Sequence, residues 1–130
     1  MTLQITSLLT GLFALMMVVL SLQISLARVK LGGSAKEQEN DKTLRRKVRA
    51  HGNFIEYAPT MLVVVGLMEF AGGSKVMVMI IAAVFFFCRV FHALGMLYTS
   101  TPALRGAAMM MQHAAFLWAG VWLILKALSI

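Results

Sequence analysis

Apolar residues fall into four long blocks along the chain, and polar residues collect in the short intervals between them. Leu3 to Ala27 contains no charged side chain. As a helix rising 1.5 Å per residue, it is long enough to cross ~30 Å of hydrocarbon. A second block, Phe54 to Ala71, is interrupted by Glu56 and Glu69. A third, Val76 to Tyr98, is interrupted by Arg89, and a fourth, Gly106 to Leu125, has no charge. Gly32-Gly33, Gly72-Gly73 and Thr99–Pro102 separate the blocks, as turn chemistry requires. The pattern predicts an all-α integral membrane protein. It is one domain over 1–130, an up-down bundle of four transmembrane helices at 3–27, 44–71, 75–98 and 105–128.

Two other readings of these blocks are weaker. The first block lacks the basic n-region of a signal peptide and exceeds the roughly 7–15 apolar residues of its h-region. A membrane barrel needs segments of about ten residues alternating with period two, and these runs do not alternate. The bilayer interior offers no water to backbone groups, so the spans are expected to be helical throughout. Pro59 deprives the second helix of the hydrogen bond to the Ile55 carbonyl and is expected to bend it.

Composition sharpens the class. Of 130 residues, 60% are hydrophobic and 13% charged, about half the charge of a soluble domain. A disordered chain and an ordinary soluble globule are excluded on that ground. A single cysteine, Cys88, permits neither an internal disulfide nor a thiolate metal cluster, and no metal site is expected.

The net charge is +7, and its position gives it meaning. Arg28, Lys30, Lys36, Lys42, Arg45, Arg46, Lys47 and Arg49 lie in or beside the first loop with Glu37, Glu39 and Asp41, leaving +5 there. The positive-inside rule then puts loops one and three in the cytoplasm and both termini outside. A nucleic-acid partner is not expected, since Lys36–Arg49 has no aromatic residue on which a base could stack.

The informative polar run is Arg49-Ala-His51-Gly-Asn53-Phe-Ile-Glu56-Tyr57-Ala-Pro59. Arg49, Asn53, Glu56 and Tyr57 share a helix face and descend about 12 Å from the cytoplasmic mouth. A charge facing lipid at the helix centre costs ~2.5–3.5 kcal/mol, so this face must look into protein or water. Arg89 and His92, near the end of the third helix, are expected at similar depth, with Arg105 and Arg28 at the same surface. Two readings remain open: Glu56 pairs with Arg49 or Arg89 to hold helices together, or the surplus of cations receives an anionic ligand. Glu69 reads as an interfacial residue near the outer end of the second helix, and His113 as a packing or hydrogen-bonding histidine.

The same run resembles the second-helix signature of the MAPEG superfamily, membrane-associated proteins in eicosanoid and glutathione metabolism, and in particular its short bacterial, YecN-like members. Leu22-Gln23-Ile-Ser-Leu-Ala27-Arg28 and Phe87-Cys88-Arg89…Gly95 are similar to the family's first and third helices. The resemblance implies a homotrimer in the bacterial inner membrane, with a glutathione site between subunits at the cytoplasmic side and glutathione as co-substrate. It implies that Arg49 takes a glutathione carboxylate, that Asn53 and Glu56 take polar and amino groups, and that Tyr57 and Arg89 belong to the site. Arg28 and His51 would reach in from the adjacent subunit. Arg105 stands where the family places a thiolate-stabilising arginine, and His92 is a second candidate for thiol activation. The implied activity is transfer of the thiolate to lipophilic electrophiles, or reduction of lipid hydroperoxides. Near the end of helix three this chain carries His92 and Met96, where leukotriene-conjugating members have tyrosines. Two other functions compete. A small multidrug transporter resembles its relatives by a glutamate in the first helix, which is absent here. A non-catalytic scaffold would bind lipid or partner helices and show no thiol chemistry.

Overall fold

A computed structural model of the chain describes residues 2–99 and 102–128. Its elements are α1 (Gln4–Leu31), α2 (Ala35–Asn40), α3 (Lys42–Phe70), α4 (Lys75–Tyr98) and α5 (Ala103–Ala127), with no strand among the described residues. The third predicted helix has the observed bounds, and the other three are displaced by one to four residues. Residues 100 and 101 of the expected Thr99–Pro102 turn lie outside the described residues. α3 runs through Pro59 without a break.

The expected count of four helices is corrected to five by the short α2. Its N-terminus is a capping box. The Ser34 hydroxyl accepts the Glu37 backbone N–H, and the Glu37 carboxylate accepts the Ser34 backbone N–H at 2.7 Å. The Ser-x-x-Glu spacing is a local helix-start signal that the reading by apolar blocks passed over. The cations read as lying in or beside the first loop sit on helix ends. Lys42, Arg45, Arg46, Lys47 and Arg49 ride on α3, which begins at Lys42 because the Asp41 carboxylate accepts the Leu44 N–H at 2.6 Å. Arg28 and Lys30 likewise belong to the last turn of α1.

Consecutive long helices run antiparallel. Glu69, at the end of α3, bonds the start of α1. Gly72 turns the chain at φ 77°, and a Cβ on Gly73 would stand 2.8 Å from the Met68 carbonyl oxygen. Arg105, at the start of α5, touches Met96 near the end of α4. α3 and α4 form the middle of the bundle, with α1 packed on both and α5 packed on both. Phe13 meets Phe54 at 5.3 Å and Phe85 at 5.9 Å between ring centroids, and Phe85 meets Phe116 at 5.3 Å. One aromatic layer therefore ties α1, α3, α4 and α5 together.

Large apolar residues also face outward. Leu15, Val76 and Leu117 are 68%, 70% and 71% exposed. Such a surface suits hydrocarbon rather than water, and α1, α4 and α5 are each long and apolar enough to cross a membrane. α3 is as long, but its first half is polar. The up-down order brings the end of α1, the start of α3, the end of α4 and the start of α5 to one basic end. The start of α1 and the end of α5 lie at the other.

Candidate functional site: a basic cleft at one end of the bundle

At the basic end, the first two turns of α3 face the last turn of α4 and the first turn of α5. They enclose a cleft of about 430 Å³ lined by Lys42, Thr43, Arg45, Arg46, Arg49, Met96, Leu97 and Arg105. Five of these are cations and none is a carboxylate. On α3 the spacing 42, 45, 46, 49 puts the cations on one side of the helix. Arg105 reaches the cleft because Gly95 leaves it room: a Cβ there would lie 2.7 Å from the Arg105 Cγ. Its Nη1 donates to the Met96 thioether at 3.2 Å, a weak acceptor that leaves most of the guanidinium's bonding capacity available. Among the described residues the lining is wholly cationic in charge, a setting that attracts anions.

A second polar group lies deeper, inside the chain. Arg89 is 1% exposed. Its Nη1 donates to the Asn53 side-chain oxygen at 2.6 Å and, longer, to the Asn53 carbonyl at 3.4 Å. Its Nη2 donates to the Met109 sulfur at 3.4 Å. The guanidinium carbon stands 5.3 Å from the Tyr57 ring centroid and 5.6 Å from that of Phe85, a cation–π cradle. This group joins α3, α4 and α5.

The candidates from the sequence therefore divide. Arg49 and Arg105 share the cleft. Asn53, Tyr57 and Arg89 meet one another in the deeper group. His92 is buried on α4 one turn beyond Arg89, and His51 is half-buried on α3. Arg28 is exposed at the end of α1. Glu56 is exposed and forms no hydrogen bond or ion pair among the described residues. The pairing of Glu56 with Arg49 or Arg89 is thus not seen within the single chain.

Three side chains carry more than the sequence reading gave them. Glu69 bonds the Ile5 and Thr6 backbone N–H groups at 3.0 and 2.9 Å and the Thr6 hydroxyl at 2.8 Å. It caps α1, whose own cap residue Leu3 offers no side-chain bond. Gln112 was not singled out. It is fully buried, and neither of its amide atoms has a partner among the described residues. Its signal was its place three residues after Met109, on the face of α5 that meets Arg89. Arg46 and its neighbours were read for topology, yet they line the cleft. His113 Nδ1 donates to the Met109 carbonyl at 2.6 Å, so it is a hydrogen-bonding histidine.

Comparison with known proteins bears on the whole helical bundle. No curated protein matches the chain. The family model described as MAPEG family matches residues 6–125. That span takes in all four long helices almost whole, and with them the basic cleft and the Arg89 group. The chain therefore belongs to the MAPEG family, membrane proteins of the glutathione and eicosanoid superfamily.

Proposed function

We propose that this protein is a membrane-embedded, glutathione-dependent enzyme that works as a homotrimer in the bacterial inner membrane. All four long helices span the bilayer, with the basic end in the cytoplasm and both termini outside. The observation that carries the reading is the meeting of Arg49 and Arg105, from two different helices, in one open cleft with no carboxylate among its described lining residues. Glutathione at neutral pH has two carboxylates and one ammonium. Arg49 answers one carboxylate with a charge-assisted bond. Glu56 lies on the same side of α3, seven residues on from Arg49, and is exposed, so it is available for the ammonium. Asn53 and Tyr57, one and two turns further along α3 from Arg49, supply polar groups at the deeper end, while Arg28 and His51 complete the site from a neighbouring subunit.

Catalysis requires the thiol to ionise near pH 7. A positive charge beside sulfur stabilises the thiolate and lowers the thiol's pKa. Arg105, whose hydrogen bond among the described residues is to a thioether, supplies that charge, and His92 is a second candidate from α4. The thiolate then attacks the electrophilic carbon of a lipophile arriving from the bilayer. A carbon–sulfur bond forms, and the leaving group departs with its electron pair. With a lipid hydroperoxide, the thiolate attacks the distal oxygen, a sulfur–oxygen bond forms as the oxygen–oxygen bond breaks, and the alkoxide takes a proton from water to leave as the alcohol. A second glutathione then converts the sulfenic acid to the disulfide and water.

The test uses the protein purified in detergent, with glutathione binding followed by calorimetry and conjugation of a chloronitrobenzene followed by absorbance. Arg49→Ala and Glu56→Gln are expected to weaken binding at least roughly tenfold. Arg105→Ala is expected to lower turnover more than binding. A wild type that binds no glutathione, or equal affinity in both binding variants, defeats the proposal.

A further inference from the structure

Arg105 is a long, flexible side chain in a cleft whose other charged groups repel it. Lys42, Arg45, Arg46 and Arg49 line the cleft from α3, and His92 stands on α4 one turn before Met96. No carboxylate among the described lining residues draws the guanidinium to one spot, and an unrestrained arginine has many rotamers open to it. Two adjacent residues near the end of α4 set its place instead. Gly95 receives the stem. A Cβ there would lie 2.7 Å from the Arg105 Cγ and 3.5 Å from the Arg105 backbone nitrogen, so the first turn of α5 lies directly against α4. The Gly95 carbonyl accepts the Thr99 hydroxyl at 2.8 Å, a bond that braces the end of α4. Met96 receives the head: its thioether accepts Arg105 Nη1 at 3.2 Å, and it lines the same cleft.

The choice of sulfur has a chemical consequence. A carboxylate at position 96 would hold the guanidinium more tightly, but it would also cancel the charge. A thioether is neutral and a weak acceptor. It orients one N–H and leaves the positive charge, with the remaining N–H groups, for a ligand.

We propose that Gly95 and Met96 are positioning residues, which seat the Arg105 guanidinium against the sulfur of bound glutathione without neutralising it. This role rests on the glutathione reading above and adds the two residues that decide where the activating charge stands. A misplacement of about 1 Å can cost on the order of a hundredfold in rate, so a seat of this kind governs turnover.

The experiment follows ionisation of bound glutathione against pH, through the ultraviolet absorbance of the thiolate, together with conjugation of a chloronitrobenzene in detergent. Met96→Leu conserves volume and removes the acceptor. It is expected to raise the apparent pKa of the bound thiol by about one unit and to lower turnover roughly tenfold, with glutathione affinity nearly unchanged. Gly95→Ala, which pushes the Arg105 stem aside, is expected to act in the same direction. Met96→Gln restores a neutral acceptor and is expected to return both quantities toward wild type. In an Arg105→Ala background, Met96→Leu is expected to add no further loss, because its effect passes through the guanidinium. An unmoved thiol pKa in Met96→Leu or Gly95→Ala overturns the proposal. So does a loss in Met96→Gln as deep as in Met96→Leu, or an undiminished effect of Met96→Leu in the absence of Arg105. A wild type that binds no glutathione defeats the glutathione reading and this role with it. Normal binding with an unmoved pKa in the variants defeats this role alone.

Discussion

Arg89 carries a full charge into the middle of the bundle, and what stabilises it there is mainly one amide oxygen. The Asn53 side chain accepts its shortest bond at 2.6 Å, and the other acceptors are a long carbonyl contact and a thioether. Asn53→Ala removes the strong acceptor and leaves a buried guanidinium poorly compensated, a loss of about 2–4 kcal/mol. Thermal unfolding in detergent is expected to show a clear fall in Tm, and an unchanged Tm would contradict this account. The same residues mark how far the sequence could be read. Spacing put Arg49, Asn53, Glu56 and Tyr57 on one face, and all four do lie within a broad arc of α3. Yet Asn53 and Glu56 are about 60° apart on that arc at 100° per residue. The difference sends Asn53 inward to Arg89 and leaves Glu56 outside. No pattern of residue types in one helix fixes which edge of such a stripe a neighbouring helix will cover.

Among the helices, α1 and α2 solve the problem of their unpaired N-terminal N–H groups in different ways. α1 borrows the Glu69 carboxylate from the end of α3, 64 residues away in the chain. Glu69→Ala leaves two backbone N–H groups without their acceptor and removes a negative charge from the positive end of the helix dipole. The expected cost is about 1–2 kcal/mol, read as a lower Tm in detergent. Amides at the start of α1 should also exchange faster with deuterium. α2 caps itself through Ser34 and Glu37. The bond from the Ser34 backbone N–H, reinforced by its hydroxyl, holds the Glu37 carboxyl below its ordinary value of 4.5. The carboxylate is thus favoured in the folded state. Its contribution to α2 is present above pH 4.5 and fades as pH falls through the lowered folded value. Hydrogen exchange corrected for intrinsic rate is expected to show α2 protection falling from pH 6 to pH 3, with Glu37→Gln flat over that range. The α2 cap, with partners three residues apart, leaves a local signal that the apolar-block reading passed over, whereas the α1 cap leaves none.

For the whole molecule, the most telling feature is the outward side of α3, where Arg49, Glu56, Thr60, Val63 and Leu67 are all exposed in the single chain. A carboxylate facing hydrocarbon is expensive, so this side gains by meeting another copy of itself. Light scattering of the detergent-purified protein, corrected for bound detergent, is expected to give the mass of three chains. A single-chain mass would remove the intersubunit site on which the proposed roles of Arg28 and His51 rest. The basic cleft is a property of the assembled helices in the same sense: α3 supplies four of its cations and α5 the fifth.

What the sequence determined by itself was the helical, lipid-facing character of the chain, the position of its long helices and the gathering of positive charge toward one end. These follow from hydropathy, length and turn residues, all of which act over a few consecutive positions. The tertiary structure decided the pairings. It set Arg89 on Asn53 across 36 residues and Glu69 on α1 across 64, and it brought cations of α3 and α5 into one cleft. A hydrogen bond or a cavity wall belongs to two helices at once. Its partner is chosen by how those helices dock, and residue spacing within one of them carries no record of that choice.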